Sequence, residues 1–491
     1  MSRTAQRDVD VAVIGAGPSG VGAAITLRNA GFRDVVVLEK ADRLGGTWRD
    51  NTYPGSGCDV PAPLYEYSFA PNPNWTATFA GQPEILAYVE KTATDHGVTE
   101  MIHYDTEVTA GSWDPSTHRW HLDTTAGPYR ATTVILASGP WHQPRWPDIP
   151  GLAGFPGPVF HSARWNHDVE LAGRRIAVVG VGASAAQFVP RIQPDAASVH
   201  IFQSTAPWVL PKPESAMLNA ARRFLYRHPA GRYAMRAMHY WTQEAIGYAL
   251  LHPRLLPPLQ AAARLHLRKS ISDDELRRAV TPHYTLGRRR LLTSNDYYTA
   301  LSRPNVALHA TSVTEVNGRQ VVGANGDRVD VDAIILGTGF QVGARPLATR
   351  LRGIDGRPLS EAWAGGQHAY LGTTVSGYPN LFLLLGPNVL SGTTSVFTVL
   401  EAQLRYISDA LIELGRSGHR AMDVLPDVQQ THNLAVQKAL RRTVYNSGDR
   451  SSYYFNAHGV NTFCWPWTTR RLIRHLHAFQ SSTYAWHGQA A

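Results

Sequence analysis

Two glycine-rich turns in the sequence have the residue types and spacing that bind the pyrophosphate of a dinucleotide. Residues 15–20 (GAGPSG) and 180–185 (GVGASA) each lie between a β-branched apolar run and a segment with helical spacing. Glycines allow a tight turn, a close approach of the phosphates and close packing of the helix on the strand. The pyrophosphate then lies at the positive N-terminus of the helix. One such turn is weak evidence, but two in the same context predict two dinucleotide sites.

The two turns differ in the residue that would meet the adenosine ribose. Glu39 lies 24 positions after Gly15, whereas the same spacing from Gly180 leads to Ser204. A carboxylate accepts hydrogen bonds from the ribose hydroxyls and repels a 2′-phosphate. We therefore assign FAD to the first site and NADPH to the second, where a nearby cation would bind the 2′-phosphate. The candidate cations are Arg288, Arg289 and Arg290.

Two further segments fit a flavin. The small-residue turn 44–48 (LGGTW) follows the first acid and could approach the pyrophosphate or the flavin ring. Residues 391–395 precede an amphipathic helix that begins near Val396. An uncapped N-terminus of this helix, directed at the flavin pyrimidine, would stabilise negative charge on the reduced flavin. An ordinary turn and an ordinary capped helix remain the alternatives.

These residues require parallel strands whose carboxyl ends meet at one edge of a sheet. The apolar runs predict strands at 11–14, 35–38, 175–179, 199–203, 333–336 and 381–385. We predict an α/β fold with two dinucleotide-binding (Rossmann-like) domains and a helical insertion. The FAD-binding domain would comprise 1–145 and 343–491, the NADP-binding domain 146–212 and 285–342, and the insertion 213–284.

The predicted insertion is rich in Ala, Leu and Arg at helical spacing. It also carries a basic, aromatic stretch that could form a surface for an apolar substrate or a membrane. We interpret this stretch instead as a helix that packs its apolar face inward while arginines cover its edges. The aromatic residues are Phe224, Tyr226, Tyr233, Tyr240 and Trp241.

The composition excludes several classes of protein. The 491 residues include only two cysteines, Cys58 and Cys464, too few and too far apart for a disulfide framework, a cysteine-based metal site or a flavin–disulfide reductase. No secretory leader and no apolar run long enough to span a membrane is visible, so we expect a cytoplasmic protein. We also expect no bound metal. The net charge of +9 is almost entirely arginine. This bias also fits a high-GC genome, and we expect no nucleic-acid partner.

Residues 155–165 (FPGPVFHSARW), just before the second turn, read F-x-G-x-x-x-H-x-x-x-W. This pattern resembles the fingerprint of type I Baeyer–Villiger monooxygenases, FAD- and NADPH-dependent enzymes that insert oxygen beside a ketone carbonyl. The related flavin-containing N- and S-monooxygenases usually have Tyr or Phe at the position of Trp165. Asn166 departs from the family pattern, which has Pro or Asp there. Further segments that resemble family motifs are 45–48, 53–55, 58–59, 287–290, 295–298, 337–340, 386–388 and 401–403.

The resemblance implies roles for individual residues. Arg290 matches the mobile active-site arginine, which would stabilise a C4a-peroxyflavin, and Asp59 matches its carboxylate partner. Arg289 stands where the family usually has a lysine for the 2′-phosphate, and Ser204 where many members have an arginine. His161 and Trp165 would help to set the relation of the two domains. The assigned cofactor-binding residues are Gly15, Gly17, Pro18, Ser19, Gly20, Glu39, Lys40, Gly46, Thr47, Trp48, Asp59, Tyr65, Val108, Asn388, Gly180, Gly182, Ala183, Ser184, Ala185, Gln203, Ser204 and Arg289.

The expected partners are a small-molecule ketone, NADPH and O₂, and the expected product is an ester or lactone. Three other functions stay open at this point. The same flavin chemistry could oxidise N or S atoms, or the chain could be an FAD/NADPH electron-transfer reductase. A membrane- or nucleic-acid-binding protein with a vestigial flavin fold is the third, and the intact motifs at both sites argue against it.

Overall fold

The computed structural model describes residues 6–214, 216–343 and 345–489. The strands are β1 (Arg7–Ile14), β2 (Val35–Leu38), β3 (Ile102–His103), β4 (Val108–Asp114), β5 (Arg119–Thr124), β6 (Tyr129–Leu136), β7 (Val159–His161), β8 (Arg175–Val179), β9 (Ser198–Phe202), β10 (Val209–Leu210), β11 (Leu292–Thr293), β12 (Val306–His309), β13 (Val313–Asn317), β14 (Gln320–Gly323), β15 (Arg328–Asp330), β16 (Ala333–Leu336), β17 (Leu351–Arg352), β18 (Leu381–Leu383), β19 (His419–Val424) and β20 (Tyr484–Gln489). The α-helices are α1 (Pro18–Asn29), α2 (Thr47–Asp50), α3 (Gln82–Asp95), α4 (Ala183–Ile192), α5 (Ala216–Arg227), α6 (Pro229–Leu251), α7 (Pro257–Ser270), α8 (Asp274–Ala279), α9 (Tyr297–Leu301), α10 (Leu359–Ala362), α11 (Val396–Ser417), α12 (Pro426–Leu440) and α13 (Thr469–His475).

Two sheets form the framework of the protein. The larger sheet has the order β17-β4-β5-β6-β1-β2-β3, with β18 beside the carboxyl half of β6. Its strands β6, β1, β2 and β3 are parallel, whereas β4, β5 and β6 pair antiparallel. The second sheet is parallel throughout, in the order β12-β9-β8-β16-β7. Each sheet contains one of the glycine-rich turns, after β1 and after β8.

Strand β1 shows why the sequence forms a sheet covered on both faces. Its last four residues are all buried, as expected for a parallel strand with helices or further strands on each side. Successive side chains of a strand point to opposite faces. Accordingly, Val11 and Val13 pack in a core with α1 and α11, whereas Ala12 and Ile14 pack in a second core with β4–β6.

The predicted fold class, α/β with two dinucleotide-binding sheets and a helical insertion, is confirmed. The strands predicted at 35–38, 175–179 and 333–336 have the predicted bounds. The strand predicted at 381–385 ends at Leu383, because the chain takes a positive φ at Leu385. The first strand begins earlier than predicted, at Arg7. None of the helices described here is both long enough and apolar enough to cross a membrane.

The helical insertion consists of α5 to α8, between β10 and β11. The prediction that its aromatic residues pack inward is wrong for three of the five. Tyr226 is buried and Tyr240 is half-buried. The exposed residues are Phe224, Tyr233 and Trp241.

Candidate active site

A cavity of about 420 Å³ lies at the carboxyl edge of the larger sheet. It extends from the turn after β1 to the beginning of α11. The structure brings most of the residues assigned to FAD together in its lining. These are Gly15, Gly17, Pro18, Ser19, Glu39, Lys40, Gly46, Thr47, Trp48, Tyr65 and Val108.

The turn after β1 has the geometry that a pyrophosphate needs. A Cβ on Gly20 would lie 1.8 Å from the carbonyl oxygen of Gly15, so only glycine allows this contact. Helix α1 begins at Pro18, and among the described residues no side chain caps it. Its first N–H groups are therefore available to an anion at the helix N-terminus. Gly46 closes the turn from the other side, because a Cβ there would lie 3.0 Å from the Cα of Gly17.

Glu39 is held in place by backbone donors around the cavity. One carboxylate oxygen accepts a hydrogen bond from the N–H of Ala16 at 2.7 Å, and the other from the N–H of Ala41 at 3.0 Å. Arg49, which the sequence analysis did not single out, donates to the second oxygen at 3.0 Å. These contacts fix the orientation of the carboxylate and leave acceptor capacity for ribose hydroxyls.

The other end of the cavity is aromatic. The indole N–H of Trp48 donates to the hydroxyl of Tyr65 at 3.2 Å, and the ring of Tyr65 packs edge-on against Phe397 at 4.8 Å. Phe397 belongs to the first turn of α11, which therefore reaches the cavity as expected. The helix is capped, however: the hydroxyl of Ser395 accepts from the N–H of Phe397 at 3.2 Å. The helix start is thus an ordinary capped one, which leaves one fewer N–H group free but does not exclude a ligand at this end.

Arg345 lines the cavity and was missed by the sequence-based prediction. Its side chain is buried, and one guanidinium nitrogen donates to the carbonyl of Leu385 at 2.8 Å. Its Nε and second Nη have no hydrogen-bond partner among the described residues. Burial lowers the pKa of Arg345 to about 10, so the group remains a cation at neutral pH. A buried cation with free donors fits an anionic ligand in this cavity.

The second turn repeats the geometry of the first. Gly180 has φ +97°, and a Cβ there would lie 2.7 Å from the carbonyl oxygen of Gly337. Helix α4 begins at Ala183 after Gly182, and no side chain of the described residues caps it. Ser204 is exposed. Gln203 is buried and donates to the carbonyl of Ala279 at 3.3 Å, so its amide faces α8.

The three consecutive arginines have three different partners. Arg288 forms an ion pair with Asp449, and Arg289 donates to the hydroxyl of Ser451 at 2.7 Å. Arg290 lies with its Nη2 3.8 Å from Oδ2 of Asp59. The structure therefore brings together the arginine and the carboxylate that the resemblance paired.

The surroundings of Arg290 keep it charged. Desolvation lowers the pKa of the guanidinium, whereas Tyr453, Asp59, Tyr454 and Cys58 raise it, and the net pKa lies above the ordinary value. Its charge also lowers the pKa of the phenol of Tyr65, which lines the aromatic end of the cavity, although burial raises that pKa by more. Burial raises the pKa of Cys58 to about 12, so the thiol beside Asp59 stays protonated and unreactive.

The residues of the F-x-G-x-x-x-H-x-x-x-W segment lie at the edge of the second sheet. His161 ends β7 opposite Leu336 of β16, and its ring is fully buried. Its Nδ1 accepts from the N–H of Ala163 at 3.0 Å, and burial lowers its pKa to about 4. Trp165 packs against the ring of Phe188 on α4 at 5.3 Å. Both side chains thus fix the segment that leads into the second turn.

Three of the residues assigned to the FAD site do not line the cavity: Gly20, Asp59 and Asn388. Asp59 lies beside Arg290 instead. Gly20 lies beneath the turn, where it allows the contact described above. Asn388 is buried, and its amide donates to the carbonyls of Asn461 and Cys464 at 2.9 and 3.0 Å. The side chain of Asn388 therefore fastens the loop after β18 to the C-terminal part of the chain.

Comparisons with known proteins agree with this arrangement. Residues 12–219 match the family described as pyridine nucleotide-disulphide oxidoreductase. The chain is 44% identical to a Baeyer–Villiger monooxygenase from Streptomyces coelicolor, over 97% of this chain and 92% of the relative. It is 33% identical to an FAD-binding monooxygenase from Aspergillus niger, over 95% of this chain and 80% of the relative. The solved structure of an oxidised steroid monooxygenase bound to NADP superimposes with a TM-score of 0.84 at 27% identity, covering 98% and 99% of the two chains.

The fold and the two turns define a flavoprotein of the two-dinucleotide class. Both cysteines are free and buried, so this chain lacks the cysteine pair of the disulphide reductases that share the fold. The chain belongs to the Baeyer–Villiger monooxygenase family. The family resemblance based on residues 155–165, and the enzyme class it implied, are confirmed.

Proposed function

We propose that this protein is an FAD- and NADPH-dependent Baeyer–Villiger monooxygenase that converts a ketone into an ester or lactone with one oxygen atom of O₂. The observation that carries the proposal is the guanidinium of Arg290, paired with Asp59 near the aromatic end of the FAD cavity. The FAD, when bound, accepts hydride from NADPH and activates O₂.

The residues present fit FAD. The turn at 15–20 leaves no room for a side chain at Gly20, the N-terminus of α1 is uncapped among the described residues, and Glu39 is oriented just after β2. Arg345 adds a buried cation with free donors. An anion at the turn and ribose hydroxyls near Glu39 would satisfy these groups.

Arg290 would stabilise the negative charge that develops on oxygen during the reaction. A guanidinium cannot lose its proton at working pH, and a cation held at the position of a developing oxyanion stabilises it. Asp59 would hold Arg290 in position and keep part of its charge balanced while no substrate is bound. Arg289 would bind the 2′-phosphate of NADPH, because it is a cation with one hydroxyl partner and no carboxylate partner at hydrogen-bond distance among the described residues.

The proposed domain division follows the two sheets. The FAD domain would consist of 1–145 and 343–491, the NADP domain of 146–212 and 285–342, and the insertion of 213–284. Strands β17 and β18 support it, because both join the first sheet from the late part of the chain. We also propose a cytoplasmic location, which two unpaired cysteines support because disulfides are rare there.

The test uses the purified FAD-loaded protein with NADPH and isotopically labelled O₂. The substrates are a cyclic ketone, a linear ketone, an aryl sulfide and a tertiary amine. The proposal expects one labelled oxygen in an ester or lactone, with NADPH consumed in proportion. Label only in a sulfoxide or N-oxide would instead establish N/S oxygenation. Reduction of ferricyanide with label only in hydrogen peroxide would establish an electron-transfer reductase.

A further inference from the structure

Helix α6 exposes an aromatic face to solvent. Tyr233, Met238, Trp241 and Tyr248 are 79%, 47%, 56% and 48% exposed. At 3.6 residues per turn these four positions fall within an arc of roughly 140° and span about 22 Å along the helix. Contiguous exposed apolar surface of this kind marks an interaction site in a folded protein.

The opposite face of α6 explains why the aromatic residues cannot turn inward. Arg236 donates to the carbonyls of Pro63 and Glu66 at 2.9 and 3.2 Å, and Met235 and His239 are buried beside it. Glu244, at the border of the exposed face, accepts from the N–H of Thr469 at 2.9 Å. Arg236 and Glu244 are therefore committed to contacts with the rest of the protein, whereas Tyr233, Met238, Trp241 and Tyr248 remain exposed.

The exposed face lies in the most basic part of the chain. Between residues 216 and 270 the sequence has nine Lys and Arg residues and one acid, Glu244, so this segment carries eight of the net nine positive charges. Further apolar side chains are exposed on the neighbouring helices and the turn between them, among them Phe224, Leu255 and Leu265. Exposed cations accompany them at Arg223, Arg227, Arg254, Arg264, Arg268 and Lys269.

We propose that this face of the helical insertion docks on the surface of an anionic lipid bilayer. Trp and Tyr side chains prefer the interface between water and hydrocarbon, and an amphipathic helix lies in that plane with its apolar face inward. Surrounding Lys and Arg residues are attracted to anionic headgroups. The α6 face carries the Trp and Tyr side chains, and the segment around it carries the Lys and Arg residues. The proposal is independent of the reaction proposed above.

Two other partners fit the surface less well. A second copy of the chain would bring two segments of charge +8 together, which mutual repulsion opposes. A nucleic acid needs cations at the centre of the contact to bind its phosphates. The arc of roughly 140° on α6 that holds Tyr233, Trp241, Tyr248 and Met238 contains no Lys or Arg. Its one charged residue is Glu244, near the Tyr233 edge, which accepts from the N–H of Thr469. The Lys and Arg residues of the segment therefore lie outside this arc, and a bilayer surface, unlike a nucleic acid, needs no cation within it.

The experiment measures co-sedimentation of the FAD-loaded protein with vesicles. One set contains equal parts of phosphatidylglycerol and phosphatidylcholine, and the other phosphatidylcholine alone. We expect binding to the first set that weakens with added salt and little binding to the second. The double variant Tyr233→Ser/Trp241→Ser should bind the anionic vesicles at least tenfold more weakly, and Arg254→Gln/Arg268→Gln should show a smaller salt dependence. Leu434→Ser, which changes an exposed apolar residue of α12, is the matched control and should bind like the parent.

Flavin absorbance and the melting temperature establish that each variant is folded, which the exposure of the substituted residues favours. The proposal is overturned if the parent protein does not bind anionic vesicles, or if the Tyr233/Trp241 variant binds them as tightly as the parent. Binding of a fluorescent DNA duplex in place of vesicles would identify a nucleic-acid surface and also overturn it. The proposal is also overturned if sedimentation velocity shows a dimer of the parent protein that the Tyr233/Trp241 variant does not form and that does not bind vesicles.

Discussion

The side-chain amide of Gln187 makes two hydrogen bonds with the backbone of Gly57. Its Oε1 accepts from the N–H at 3.3 Å, and its Nε2 donates to the carbonyl at 3.0 Å. Gln187 lies on α4, the helix that follows the second glycine-rich turn, and Gly57 lies in the loop that leads to Asp59. A side chain of α4, the helix that follows β8 of the second sheet, thus holds the loop that carries Asp59, the proposed partner of Arg290.

Replacement of Gln187 should therefore slow the transfer of hydride from NADPH to FAD. We expect Gln187→Ala to retain FAD but to be reduced by NADPH about tenfold more slowly, since two hydrogen bonds contribute about 1 kcal/mol or more together. Anaerobic stopped-flow reduction measures this, and reduction by dithionite should be unchanged. The control is Gln193→Ala, at the C-terminal end of α4, which removes a side-chain hydrogen bond to Asn305. Equal rates for both variants would contradict the role of Gln187.

Arg290→Ala should bind FAD normally and lose product formation. A single preorganised cation or donor at a developing oxyanion contributes a factor of about 100 to 1000 in rate. The measurement is the yield of ester per NADPH consumed, with the flavin spectrum as the test of FAD binding. Arg303→Ala removes an exposed arginine nearby in sequence and should leave the yield unchanged. An unaltered yield in Arg290→Ala would refute the assignment.

Glu39→Gln should weaken FAD and leave NADPH binding as it is. The carboxylate accepts from Ala16 and Ala41 and is oriented for ribose hydroxyls, and hydrogen bonds to a charged group contribute about 1.5–3 kcal/mol. We expect the Kd of FAD to rise about ten- to a hundredfold in titrations of the apoprotein. Asp42→Asn, an exposed acid of the same loop, serves as the control. If the two variants bind FAD equally well, Glu39 does not contact the cofactor.

The variant Arg345→Met tests whether Arg345 stabilises the fold or binds the cofactor. Because the guanidinium has free donors and no carboxylate partner among the described residues, its replacement by an apolar side chain should not lower the melting temperature of the apoprotein. The affinity for FAD should nevertheless fall about tenfold or more, as a charge-assisted hydrogen bond is lost. Calorimetry and FAD titration measure the two effects. Arg352→Met, at an exposed site, should change neither. A destabilised apoprotein with unchanged FAD affinity would show that Arg345 is purely structural.

The protein should lose stability in mild acid, because His161 resists protonation in the folded state. Burial lowers its pKa to about 4 in the folded protein, against about 6.5 for an ordinary histidine, so the unfolded chain binds the proton first as the pH falls. The contribution is complete above pH 6.5 and is lost as the pH falls toward 4, by about 2 kcal/mol at pH 5. His161→Asn keeps an acceptor near Ala163 and removes the titration. Urea unfolding at pH 7 and pH 5 should therefore show a smaller loss for the variant, and an equal loss would contradict this.

The sequence determined the features that depend on local order along the chain. Residues 15–20 and 180–185, the acid at Glu39 and the strands beside them could be predicted because a turn, its helix and its strand are neighbours in sequence. The segment 155–165 added the family, which the comparisons confirm. The assigned roles of Arg290 and Asp59 stay predictions, although the structure places the two side chains together.

Only the tertiary structure decided which distant groups meet and which helix faces are covered. Gln187 meets Gly57, and Arg345 meets Leu385, across separations that no local pattern encodes. The period of an amphipathic helix shows that it has two faces, but not which of them contacts the protein. In α6 the hydrogen bonds of Arg236 to Pro63 and of Glu244 to Thr469, together with the burial of Met235 and His239, set the rotation. The aromatic residues therefore face solvent, because the total packing of the molecule, and not the helix alone, sets its rotation.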